Sequence, residues 1–121
     1  MGGRVSRNKG RAGEQSLVRL INDWFGDGIA RRNLDQVTTD GGAGGDVGGE
    51  LQRFFSIECK ASKQLQTAYF RQARDQAADH QIPVVAHKET GTGKFRFYVL
   101  LEEKDFLEYA GEVMSAAEIM E

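Results

Sequence analysis

The stretch GGDVGGELQRFFSIECKASK, residues 44–63, decides how this chain is read. Its first six residues include four glycines around Asp46. The part from Arg53 to Lys60 is the strongest strand candidate in the sequence, with Phe54, Phe55 and Ile57 after a turn signal. Yet that strand ends in Glu58 and Lys60. Alternate residues of a strand share a face, so Phe55, Ile57 and Cys59 point toward a core while Ser56, Glu58 and Lys60 point the other way together. Along the strand Glu58 and Lys60 are about 6–7 Å apart. Alone, this is a solvent-facing strand with a mild ion pair. Asp46 changes the reading. Glycines let backbone approach backbone closely, and a chain that turns back there carries the Asp46 carboxylate to Glu58. Two carboxylates at one point repel unless something positive intervenes. Magnesium meets that need, because it takes one or two protein carboxylates and fills its shell with carbonyl and water oxygens. Lys60, a hydrated point charge, would there orient a water or a phosphate.

Outward from this stretch, the apolar residues Leu17, Leu20, Ile21, Trp24 and Phe25 recur at helical spacing, which predicts an amphipathic helix from about Arg11 to Phe25, stopped at Gly26 and Gly28. Trp24 reads as core at that spacing. Ile29 to Leu34 predicts a short strand. Thr38 to Gly49, with six glycines in twelve residues, predicts loop with a brief strand at Asp46-Val47. Thr67 to His80 predicts a second helix, and Pro83–His87 and Lys94–Leu101 two more strands joined like a hairpin. Lys104 to Tyr109 predicts a short helix, and Ser115 to Glu118 a capping box opening a last turn. The expected fold is α/β, a mixed sheet of about five strands flanked by helices. Glu14 lies three residues before Leu17 and seven before Ile21, on the buried stripe. It reads either as a first-turn acid favourable to the helix dipole or as a member of the site.

The chain has 121 residues, enough for one compact domain. Two parts are expected: a flexible basic arm over residues 1–10 and a single domain over residues 11–121. No apolar run approaches a membrane span, and the first residues lack the pattern of a secretory signal. A single cysteine, Cys59, suits a reducing compartment, so a cytoplasmic location is expected. The net charge of −2 is unevenly spread. The segment from Met1 to Arg11 holds Arg4, Arg7, Lys9 and Arg11 and no acid, whereas the last twenty residues are strongly acidic. Such asymmetry points to a phosphate-bearing partner as readily as to a solvated end. Val113, Ile119 and Met120 fit a subunit interface or a cap on the core.

The order Glu14, Asp46, Glu58-Cys59-Lys60 resembles the PD-(D/E)xK nuclease superfamily. NKGRAGEQSLVRLINDWFG (8–26), GGAGGDVGG (41–49) and FSIECKAS (55–62) look most like archaeal-type Holliday junction resolvases and their phage-encoded relatives, and YFRQARDQAADHQIPVVAHKE (69–89) is similar to them as well. The likeness covers about residues 8–100. The usual proline before the aspartate is replaced by Gly45. The resemblance implies a restriction-endonuclease-like core, with Glu14, Asp46, Glu58 and Lys60 as catalytic residues. Asp46, Glu58, the Cys59 carbonyl and Glu14 would hold Mg2+, for which Mn2+ would substitute. It also implies a homodimer that hydrolyses phosphodiesters in branched DNA such as a four-way junction. Arg4, Arg7, Lys9 and Arg11 would track phosphates. Gln72 and Gln76, four apart on the second helix, would contact phosphate or simply make its polar face. A nicking or restriction-type nuclease and a non-catalytic nucleic-acid-binding module are the rival expectations.

Overall fold

The structure is a computed structural model that describes the backbone of residues 2–33 and 45–120 and the side chains of residues 11–33 and 45–118. Helix α1 (Gly2–Phe25) leads into strand β1 (Arg31–Arg32). Strand β2 (Val47–Gly48), a 3-10 turn (Glu50–Arg53) and strand β3 (Phe55–Ser62) follow, then helix α2 (Thr67–Gln76). Strands β4 (Ile82–Glu89) and β5 (Phe95–Val99) precede the last helix, α3 (Glu103–Met120).

The α/β class and the helix-flanked mixed sheet are as expected, but the described strands do not form one five-stranded sheet. β1 and β2 make a two-stranded antiparallel ribbon, while β3, β4 and β5 make a three-stranded sheet in that order, β3 parallel to β4 and β4 antiparallel to β5. The cause lies in Gly48-Gly49 and the 3-10 turn, which lead the chain away after two residues of β2. Gly49 has φ +86, and a Cβ there would stand 2.8 Å from the Ile29 carbonyl oxygen, so glycine is required for this close approach. The ribbon still reaches the outer edge of β3 through Asp46, whose N–H donates to the Ile57 carbonyl at 2.7 Å.

α1 starts at Gly2, well before the expected Arg11. Nucleation is the costly step of helix formation, and each residue added to an existing helix gains a hydrogen bond. Arg4, Arg7 and Lys9 have side chains outside the described residues, and Leu34 and the greater part of the predicted glycine loop also lie outside them. α1 ends as expected: Gly26 has φ +118 and donates to the Asn22 carbonyl at 2.8 Å. The Asn22 side chain then clamps Ala30 through its N–H and its C=O, both at 2.9 Å. α2 ends at Gln76 instead of running to His80. There Gln81 folds back, accepting from the Ala78 N–H and donating to the Gln52 carbonyl, which ties the connection to the 3-10 turn before β3. The two expected C-terminal pieces are one helix, α3. Glycine costs about 1 kcal/mol inside a helix, and the good helix formers around Gly111 offset it.

Leu17, Ile21, Ala30, Val47, Ile57, Val84 and Ala86 form the core between α1 and one face of the sheet. α1 lies directly on β3, since a Cβ at Gly13 would stand 3.6 Å from the Cys59 sulfur. Trp24 is 82% exposed and Phe25 65%, so the expectation that Trp24 is core is corrected. The apolar stripe continues along the helix past the surface that so small a sheet offers. The other sheet face is covered by α2, whose Ala73 is fully buried and whose Phe70 packs edge-on to Tyr98 of β5, ring centres 5.6 Å apart. Alternation on β3 holds, yet the face bearing Ser56 and Glu58 is buried, not wet, as parallel pairing with a covering helix requires. Along α3, Phe106, Leu107, Tyr109, Val113 and Met114 are exposed, and the side chains of Ile119 and Met120 lie outside the described residues.

Candidate active site at the outer edge of the sheet

Asp46 is held against β3 at two points. Its N–H donates to Ile57 C=O, and its Oδ2 accepts the Cys59 N–H at 2.8 Å. It thereby occupies the position of a neighbouring strand residue, and its carboxylate stands beside Glu58. The backbone groups of Phe54 and Ser62 pair with β4, accepting from Ile82 and Thr90. Residues 55, 57, 59 and 61 therefore turn their N–H and C=O groups to the opposite edge, and the Cys59 carbonyl faces the side where Asp46 lies. This backbone arrangement is what the expected use of the Cys59 carbonyl needs. The thiol is unsuited to ligation: burial first, and then the negative charge of Asp46, push it up to about 12, so it stays protonated.

Glu58 is 1% exposed and sits among the largest fully buried side chains. Its Oε1 has no hydrogen-bond partner among the described residues. Burial is the main reason its carboxyl is raised from the ordinary 4.5 to about 8; the adjacent Asp46 carboxylate adds to the rise and Lys60 opposes it. An isolated buried carboxylate is costly, so near neutrality the metal-free pair shares its position by keeping a proton.

Glu14 does come to this edge from α1, as the site reading of the sequence requires. Its carboxyl is raised by burial and by Asp46, and lowered by Arg32 and Lys60. Arg32 of β1 engages it directly, Nε and Nη2 both donating to Oε1 at 3.3 and 3.1 Å. Glu14 thus meets the Asp46–Glu58 pair through its charge while its hydrogen bonds go to Arg32. Lys60 is half-buried, with Nζ 5.5 Å from the centre of the Tyr69 ring of α2. Arg32→Ala leaves a half-buried acid beside two others. We expect it to lower stability in urea by about 1–2 kcal/mol at pH 8, and by less at pH 3, where Glu14 is protonated in folded and unfolded chains alike. An equal loss at both pH values would show that the arginine acts by packing alone.

Among the described residues no group of three His, Cys, Asp or Glu side chains is arranged as a ready-made metal centre. The residues present still fit a hard cation with few protein ligands. They offer two adjoining carboxylates, one with a buried unpartnered oxygen, and a main-chain carbonyl on the same edge. Gln72 is exposed and Gln76 half-buried on α2, and neither hydrogen-bonds to the acidic residues among the described contacts. Arg11 is exposed on α1.

Sequence reasoning missed Arg32, although two arginines opening a short strand before the glycine loop were its signal. It also missed the network under α2. His87 is buried, with Nε2 2.9 Å from Ser62 Oγ; Tyr69 O–H donates to the same oxygen at 3.1 Å, and Ser62 donates to the Gln64 carbonyl at 2.7 Å. A hydroxyl has one proton, so Nε2 is the donor to Ser62 and this serine is no activated nucleophile.

Compared with known proteins, the chain matches no family model, no curated protein and no solved structure. The fold and site define a small α/β protein with a buried carboxylate pair and a lysine at one sheet edge. No described helix is long and apolar enough to cross a membrane.

Proposed function

We propose that the chain is a metal-dependent endonuclease that hydrolyses phosphodiester bonds in branched DNA, built on a restriction-endonuclease-like core. The observation that carries this reading is the meeting of Asp46 and Glu58 at the edge of β3, with Glu58 Oε1 buried and without a partner among the described residues, and Lys60 on the same face. Such a pair is costly as it stands and suits a bound cation. Asp46, Glu58 and the Cys59 carbonyl would hold Mg2+ or Mn2+, with Glu14 near enough in charge to act through water. Bound there, the ion would supply an activated water and stabilise charge developing on the phosphate. The Lys60 ammonium then orients the water or the phosphate, and its seat over the Tyr69 ring fixes its approach.

The partner in this reading is DNA, with Arg11 and the basic residues before it tracking phosphates. A homodimer supplies two such sites for two symmetric strands, and the exposed apolar residues of α3 are available to its interface. The setting is the cytoplasm of a prokaryote or of a phage-infected cell.

The test compares a labelled four-way junction with a linear duplex of matching sequence, each with Mg2+, Mn2+ or EDTA. Symmetric, metal-dependent cuts confined to the junction are the expected result. Equal cutting of the duplex would replace junction specificity with a nicking or restriction-type activity. Salt-sensitive binding without any cleavage would leave only a nucleic-acid-binding module.

A further inference from the structure

A row of nitrogen-bearing side chains crosses the sheet away from the acidic pair. Lys60 of β3 is in register with His87 of β4, and His87 with Arg96 of β5. Residues in register on adjacent strands share a face and are about 4.8 Å apart. The row therefore spans about 10 Å on the face that also carries Glu58. It ends in a cavity of about 400 Å³ lined by Lys63, His87, Thr92, Lys94, Arg96 and Tyr98, with Glu89 as its acid. Three positive charges face one negative charge there, whereas the net charge of the whole chain is −2. The floor is rigid. His87 is fixed through Nε2 to Ser62, which is itself held by Tyr69 and by the Gln64 carbonyl, and Tyr98 is packed against Phe70. The rim is adaptable, because Lys63, Lys94 and Arg96 are exposed. A buried, hydrogen-bonded floor under mobile cations is an arrangement that takes an anion of modest size from solvent, and the planar guanidinium of Arg96 suits phosphate oxygens.

We infer that this cavity is a phosphodiester subsite, which seats a backbone phosphate of the nucleic-acid strand whose neighbouring phosphate lies at Lys60. The assignment of the strand's course rests on the nuclease reading; the anion site rests on the cavity. A subsite of this kind fixes the strand at a second point away from the acids, so that the phosphate opposite Lys60 is presented in register.

The test is an amide NMR titration of the full chain in EDTA with the dinucleotide thymidylyl-thymidine and, separately, with inorganic phosphate. Shifts centred on Lys63 and residues 92–98 with the dinucleotide are expected, and Lys94→Gln with Arg96→Gln should weaken that binding at least fivefold. Arg96→Lys, which keeps the charge but not the planar fork, should weaken binding less than the double variant and so separates lost charge from lost fold. In binding to a labelled DNA junction, the double variant should reduce the salt slope by about one phosphate contact. Shifts centred instead on Arg11, Arg19, Arg71 or Arg74 overturn the inference, as do shifts with inorganic phosphate but none with the dinucleotide. A chain that binds the dinucleotide here but never cleaves DNA keeps the subsite and loses the nuclease reading. One that cleaves junctions, with an unchanged slope in the double variant, loses the subsite alone.

Discussion

Glu58→Gln is expected to make the metal-free protein more stable at pH 8 and to abolish cleavage and any response to divalent cations. The two effects have one cause. Glu58 is fully buried, its Oε1 has no partner among the described residues, and burial raises its carboxyl from 4.5 to about 8. A carboxyl raised on folding binds its proton more tightly in the native state. Its stabilising contribution is complete below about pH 4.5 and is lost as the pH rises through 8. In EDTA the wild-type chain should therefore lose stability between pH 5 and 8, by on the order of a few kcal/mol. The amide of glutamine has the same shape and no charge, so the variant should lose that slope. Urea unfolding in EDTA at three pH values across this window measures both curves. A bound cation stabilises the form it binds, so Mg2+ should raise the wild-type midpoint more at pH 8 than at pH 5 and leave Glu58→Gln unmoved. If the proposed nuclease reading holds, losing Glu58 as a ligand should cost cleavage at least about a hundredfold. Wild-type stability that rises toward pH 8 in EDTA would show that Glu58 is ionised and satisfied in the folded chain, and would remove the basis for a cation there.

The part of this site that the sequence discloses is the part governed by local rules. Period-two alternation places Glu58 and Lys60 together on β3, and glycines on both sides of Asp46 announce a close approach. Helical spacing puts Glu14 and Leu17 on one stripe of α1, and both come to the sheet. What local rules leave open depends on how much surface each element finds. Trp24 and Phe25 continue the same stripe but are exposed because the three-stranded sheet does not extend under them. Whether Glu58 faces water or α2 is likewise not a property of β3; it follows from the parallel pairing with β4 and from Phe70 and Ala73 above it. Arg32 meets Glu14 across eighteen residues of sequence. The Lys60–His87–Arg96 row spans three strands, so neither is visible to any window short enough to read by pattern.

Gly45→Ala is expected to destabilise the chain by about 2 kcal/mol or more and to disable the site even where the protein remains folded. Gly45 has φ +101, a conformation that strains any residue with a side chain. An added Cβ would stand 2.8 Å from Ile57 N, 3.0 Å from Ile57 O and 3.0 Å from Ser56 Oγ. Two of those three atoms are backbone of β3, which cannot move aside without disturbing the ladder to β4. The strain is then relieved at Asp46, the next residue, whose hydrogen bonds to Ile57 and Cys59 hold its carboxylate beside Glu58. A displacement of about 1 Å at a reacting centre can cost a hundredfold in rate. Gly91→Ala is the control: nothing lies within 4 Å of its added Cβ and its φ is not positive. It should change stability by less than about 0.5 kcal/mol. Thermal unfolding and junction cleavage of the two variants, measured side by side, read the difference. Proline holds φ near −65°. Gly45→Pro should therefore fail as Gly45→Ala does. The left-handed glycine is then a requirement of this turn, which brings one carboxylate to another.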